Sequence, residues 1–286
     1  IANRQARWVM LPAFASWISL RLWPAANSLA VPFLDDNGEE DDYELLPPPQ
    51  ALSTLQLMGI AFFAVSGSAY GIEEVVPAGG PCLALLALLL APLLWSAPLL
   101  MVTTELSVAL PRSGGYIVWI NAAFGPLLAM LNGLANCLCN VFDCSLYPLL
   151  LTGYLQRTVL SLPPYAASAL RLALVLLAAA VNVRGVNLVG NAARALMLLV
   201  SLPFLALVCA AWGRPNFDLS SWTDLDAQLW PQSQAQWSYL LALVLWNTCG
   251  YDSAGMVAAE VARPERTYPR ALWGTLALST SLYVLP

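Results

Sequence analysis

The feature that most limits what this chain can fold into is a series of apolar runs, each long enough to cross about 30 Å of hydrocarbon as a helix. They cover roughly 53–76, 82–102, 126–154, 167–183, 189–212 and 239–261, and a seventh opens at Ala271. In lipid an unpaired backbone N–H or C=O costs several kcal/mol, so runs of this kind satisfy their own backbone by coiling into helices. Composition agrees, with 59% hydrophobic and 10% charged residues in 286, against about 25% charged in a soluble domain. The expected fold is all-α and polytopic in a membrane.

Charge and cysteine usage remove several function classes. The chain has no Lys and no His, so all twelve basic residues are Arg and a proton relay through imidazole is excluded. The net charge of −5 comes largely from one acidic cluster, Asp35 to Glu44, which argues against nucleic acid as a partner. Six cysteines lie inside apolar segments without zinc spacing or a secreted framework and read as small membrane-helix residues. No nucleophile sits with a base, and no metal cluster or phosphate loop is present, so neither an enzyme nor a cofactor is expected.

Residues 1–50 read as a cytoplasmic tail, disordered or interfacial. Pro12, Pro24, Pro32 and Arg21 divide its apolar part into pieces too short to span, and Pro47-Pro48-Pro49 closes it. Residues 51–286 form the membrane domain, its spanning region starting near Leu52 and its last span cut short, as in a fragment of a longer protein. With the tail inside, Arg112, Arg184, Arg194, Arg263, Arg266 and Arg270 fall in inner loops and Arg157, Arg171 and Arg214 in outer ones, a bias that favours this orientation.

Two spans carry interruptions. In the first, Ser66-Gly67-Ser68-Ala69-Tyr70-Gly71 sets small residues in a segment that otherwise has every reason to stay helical. In the sixth, Trp246 is followed by Asn247, Gly250, Tyr251, Asp252 and Ser253. Broken backbone at membrane depth survives only where it lines a cavity or meets compensating groups. An intramembrane Asp costs about 2.5–3.5 kcal/mol on insertion scales and is a functional candidate, with a structural hydrogen bond to a neighbouring helix as the alternative. Breaks at corresponding places in spans one and six point to an inverted-repeat transporter with its site between them.

The third span carries Asn132, Asn136, Asn140, Asp143 and Tyr147 on one helical face, either along a water-filled path or as polar glue between helices. Glu105 and Arg112 flank a loop turned by Gly114-Gly115; they are candidate gate partners or a plain interfacial pair. Glu73 and Glu74 follow the first break, where a helix N-terminus would stabilise them and where they could equally draw cations inward.

Three stretches carry a resemblance. V-S-G-S-A-Y-G-I-E-E-V-V-P-A-G-G-P from Val65, E-L-S-V-A-L-P-R-S-G-G-Y-I-V-W-I-N-A-A-F-G-P from Glu105, and W-N-T-C-G-Y-D-S-A-G-M-V-A-A-E-V-A-R-P-E-R-T-Y-P-R-A-L from Trp246 resemble the amino acid-polyamine-organocation transporters. Within them the chain is most similar to the polyamine and cationic amino acid uptake permeases of plants and trypanosomatid protists. The resemblance implies a twelve-helix, five-plus-five inverted-repeat fold working by alternating access. It implies that Ser66, Gly67, Ser68 and Gly71 present backbone groups to substrate and that Trp246 is a gating aromatic. Asp252 would occupy the acidic position, usually Glu, that pairs with cationic substrate in bacterial relatives.

The expected function is a secondary active importer of polyamines such as putrescine and spermidine, coupled to protons across the plasma membrane. A polycation entering low dielectric needs countercharges, which Asp143 and Asp252 supply, whereas no intramembrane Arg is expected to receive a lone carboxylate. Import of arginine or lysine, or a receptor with a transporter body, are the alternatives.

Overall fold

The computed structural model of the chain describes residues 52–65, 72, 74–158, 163–213 and 230–285. Helix α1 is Thr54–Val65, α2 is Val75–Gly79, and α3 runs Pro81–Ala109. Helix α4, Tyr116–Phe124, precedes α5, Pro126–Thr158, α6, Pro164–Val183, and α7, Val186–Trp212. Helix α8, Gln234–Thr248, leads into a 3₁₀ segment, Tyr251–Glu260, and α9, Pro264–Val284, follows. Every regular element among the described residues is helical, and α3, α5, α6 and α7 each contain a stretch long and apolar enough to cross a membrane.

Local chemistry sets the boundaries. Gly80, at φ 76°, turns the chain between α2 and α3, and Pro81 opens α3, a place where its missing N–H costs nothing. Pro92 lies inside α3, and the turn Pro92–Ser96 widens to π geometry, as expected where proline removes a ladder donor. Gly114 and Gly115, both at positive φ, make the turn that the sequence suggests. Helix α4 is a separate element beyond that expectation, closed by Gly125 at φ 88° and followed by Pro126. Ser233 and Gln236 form a reciprocal capping box at the start of α8.

Helix α1 is the central post. Leu57, Ala61 and Val65 enter one core with Leu100 of α3, Tyr251, Ala254 and Ala258 of the 3₁₀ segment, and Tyr268, Leu272 and Leu276 of α9. On another side Gly59 lies so close to the α7 backbone that an added Cβ would stand 2.7 Å from the Arg194 nitrogen. Gly190 admits Leu52 and Gln56 in the same way. Small residues let membrane helices approach and gain van der Waals contact where the hydrophobic effect offers no preference between helix and lipid. At its start α1 is stitched to the end of the 3₁₀ segment by a parallel bridge. The Leu52 N–H donates to the Glu260 carbonyl at 3.0 Å and the Ala262 N–H to the Leu52 carbonyl at 3.1 Å.

The arginines depart from the expected loop placement. Arg171 lies inside α6, Arg194 inside α7 and Arg270 inside α9. The Nε of Arg171 donates to the Thr152 hydroxyl in α5 at 2.8 Å. A guanidinium two turns inside a helix is kept there by a hydroxyl partner.

Gly59→Val should overpack the α1–α7 crossing and cost about 1–3 kcal/mol. The measurement is the thermal midpoint of the purified protein in detergent; an unchanged midpoint would remove this crossing from the stabilising set.

Candidate functional site

The sixth span is broken where its sequence suggests. Helix α8 stops at Thr248, Cys249 is extended at φ −98° and ψ 179°, and Gly250 turns left-handed at φ 104°. The chain then resumes as a 3₁₀ segment, kinked again at Val257. Gly250 sits directly on the backbone of Ala64 and Val65, so that a Cβ there would run into the Ala64 carbonyl oxygen. Only glycine meets both demands, positive φ and no side-chain volume. The second break therefore touches the last described turn of α1. The first interruption itself, with Ser66, Gly67, Ser68, Gly71 and Glu73, lies outside the described residues.

A broken helix leaves carbonyls without intrahelical donors, and here side chains from other elements supply them. The Ser96 hydroxyl, at the end of the π turn in α3, donates to the Thr248 carbonyl at 2.6 Å in a buried bond. The Tyr283 hydroxyl of α9 donates to the Asn247 carbonyl, and Tyr268 to the Ala254 carbonyl, both at 2.8 Å. Leaving one such group buried and unpaired costs about 1–3 kcal/mol. Sequence reading missed all three donors, since a Ser or Tyr in an apolar helix carries no mark of its target.

The predicted site residues divide. Asn247 is 1% exposed and its Nδ2 donates to the Leu243 carbonyl of its own helix at 2.8 Å. Tyr251 is also 1% exposed and belongs to the central core. Trp246 is half exposed. Asp252 is partly exposed in the first turn of the 3₁₀ segment, and the first-turn amides favour a carboxylate.

Asp252 belongs to the 3₁₀ segment, which packs against α4. Its charge reaches Tyr116 of α4, which also stands beside Asn136, Cys139 and Asn140 of α5. Burial, and then the charge of Asp252, push the Tyr116 phenol above its ordinary value. Cys249 feels both Asp252 and Asp143, and Tyr147 feels Asp143 and Cys249. The polar stripe of α5 thus meets the break through its middle. Asn140 and Asn136 are joined by a 2.6 Å hydrogen bond, while Asp143 and Tyr147 stay exposed.

Helix α4 buttresses the resumed segment. The Gly114 N–H donates to the Met256 carbonyl at 3.2 Å, and the Trp119 ring occupies the space a Cβ on Gly255 would need. Glu105 and Arg112 are both exposed, and no ion pair joins them, so the expected gate pair is not formed in this conformation. Among the described residues no group of His, Cys, Asp and Glu is arranged to hold a metal.

The sequence profile described as amino acid permease matches residues 52–286. The chain belongs to the amino acid permease family. The permease is 35% identical over 251 residues to a probable polyamine transporter of Arabidopsis thaliana, covering 87% of this chain and 51% of the relative. It is 33% identical over 239 residues to the polyamine transporter RMV1 of the same plant, 82% of this chain and 47% of that one. To the polyamine transporter PUT1 of Oryza sativa subsp. japonica it is 33% identical over 240 residues, 83% and 44% of the two chains. The permease spans about half the length of these curated relatives. No solved structure matches it significantly.

Gly250→Ala should abolish correctly folded permease, because strain at positive φ adds to collision with backbone that cannot move aside. Gly153→Ala, at an uncrowded helical position, should be neutral or stabilise by up to about 1 kcal/mol. Size-exclusion profiles of the two variants provide the comparison. Tyr283→Phe should cost about 1–3 kcal/mol by stripping the Asn247 carbonyl of its donor, read as a lower melting temperature.

Proposed function

We propose that the permease is part of a secondary active transporter that imports polyamines by alternating access. The observation that carries this reading is the break in the sixth span, where Gly250 meets the α1 backbone two residues before Asp252. A polyamine bears ammonium groups on a flexible apolar chain, and each one leaving water needs a countercharge. Two carboxylates on different elements, Asp252 near Tyr116 and Asp143 on the α5 stripe with Asn136, Asn140 and Tyr147, offer separated anchors for such a chain. The relatives named as polyamine transporters support the same substrate class.

In this reading Asp252 binds the first ammonium and the backbone opened at Cys249 and Gly250 offers carbonyls to its remaining donors. Ser66, Gly67, Ser68 and Gly71 contribute backbone from the facing break. Trp246 closes over the site, and Glu105 and Arg112 approach one another in a different conformation of the cycle. A proton gradient drives uptake, the N-terminus and residues 1–50 are cytoplasmic, residues 51–286 belong to the membrane domain, and the plasma membrane is the site of action. Catalysis has no part in it.

Uptake of labelled putrescine, spermidine and arginine by the full-length protein, in cells lacking their own carriers and with or without a proton gradient, tests the reading. Polyamine accumulation that collapses with the gradient is expected; accumulation of arginine alone would assign a cationic amino acid instead. Asp252→Asn should abolish polyamine uptake without loss of surface expression, and wild-type rates in that variant would exclude Asp252 from binding. Asp143→Asn should weaken spermidine more than putrescine, because the longer chain carries one more ammonium that needs a countercharge.

A further inference from the structure

At the end of the bundle where Leu52 pairs with Val261, a cavity of about 200 Å³ opens between the starts of α1 and α9. Ser53 and Thr54 line one side, and Arg263, Arg266, Thr267 and Arg270 the other. Arg266 and Arg270, four apart, share one face of the helix that Pro264 opens, and Arg263 precedes it at the N-cap. Arg263 enters that helix at φ 48°, the one non-glycine residue at positive φ among those described. Its carbonyl accepts from the N–H groups of Arg266 and Thr267, both at 3.0 Å, so the turn that aims the arginines is fixed by the backbone.

Among the described residues these guanidiniums have no protein partner. No described carboxylate forms an ion pair with them, and Glu265, on the same first turn, is not among the lining residues. The other polar groups are partly committed already. The Ser53 hydroxyl and N–H both donate to Gln56 Oε1, at 2.7 and 2.8 Å, and the Thr267 hydroxyl donates to the Ala262 carbonyl. The pocket therefore presents three permanent positive charges, the Thr54 hydroxyl, and the first-turn amides of α1 with their partial positive charge.

Topology control accounts for basic residues near a membrane surface, but it needs only their number. It gives no reason for three to converge on one concavity, where mutual repulsion opposes them, or for a strained turn that holds them there. A bound dianion gives that reason. A guanidinium fork matches phosphate oxygens two at a time, and basic pockets between membrane helices on the cytoplasmic side suit anionic headgroups.

We infer that the Arg263, Arg266 and Arg270 pocket binds a phosphate group, presented by the headgroup of an anionic phospholipid in the adjoining leaflet. Helices α1 and α9 open the first and seventh apolar runs of the sequence, an order that would set their starts at headgroup level and favours lipid over a free ion. The leaflet is the cytoplasmic one under the orientation proposed above; the phosphate chemistry does not depend on what the permease carries. An occupied pocket would tie the start of α1 to the start of α9.

The test is binding of tritiated inositol 1,4,5-trisphosphate, as a soluble headgroup, to the purified full-length protein in detergent, with inorganic phosphate as competitor. Arg266→Gln with Arg270→Gln should weaken headgroup binding by at least tenfold for each lost bidentate contact of about 1.5–3 kcal/mol. Arg266→Lys with Arg270→Lys keeps the charge and hence the topology, yet should still weaken binding severalfold, because an ammonium lacks the fork. Protection against thermal unfolding in nanodiscs containing phosphatidylinositol bisphosphate, absent in pure phosphatidylcholine, would establish the lipid source. Equal displacement by inorganic phosphate at the same concentration would leave the phosphate site and overturn the lipid. Unaltered headgroup binding in the Gln variant would overturn the site. So would headgroup binding that appears only after the seven carboxylates between Asp35 and Glu44 are neutralised, since the pocket would then belong to the chain's own acidic stretch. Putrescine uptake enters none of these readouts, so failure here is distinct from failure of the transport reading.

Discussion

The architecture depends on a side chain that is missing. At Gly250 the sixth span turns left-handed against the Ala64 and Val65 backbone, and no other residue type satisfies that geometry. The contact brings one broken span against another without intervening side chains. From it follow the direction of the resumed segment, the burial of Tyr251 in the core and the partial exposure of Asp252 one residue later. Adjacent residues of a tight helical segment point in different directions, so a single turn both anchors the segment and presents a carboxylate.

Breaking a helix in a membrane requires that its orphaned carbonyls be met elsewhere. Ser96, Tyr268 and Tyr283 do this from three distant points of the chain. Ser96 reaches inward because the π turn after Pro92 shifts the register of α3. The break at Gly250 is thus balanced by a second irregularity in a neighbouring helix. Both tyrosines come from α9, which makes that helix a splint across the break.

The two ends of the broken unit are held differently. Near Gly250 the contact is steric and backbone to backbone, while near Val261 it is a two-bond bridge to Leu52. Helix α4 adds a third attachment through Gly114 and Trp119. Motion of the resumed segment relative to α1 would have to work against the bridge, whereas the extended Cys249 and the Val257 kink are places where dihedral change costs little.

The sequence by itself determined that the chain is a helical membrane protein, roughly where each span lies, and that the sixth is interrupted beside Asp252. Apolar length, proline, glycine and an intramembrane carboxylate are local signals, because lipid imposes the same backbone rule on every segment. It also placed Asn136, Asn140 and Asp143 on one face of α5, since helical periodicity needs no partner. Only the tertiary structure decided that Asn247 turns back on its own helix and that Tyr251 is core, because a polar or aromatic residue beside a break can face either way. Likewise, only packing sets Arg263, Arg266 and Arg270 around a cavity and Arg171 against Thr152. Charge spacing along a chain counts cations, but what they face is settled by elements more than a hundred residues away or by a neighbouring helix.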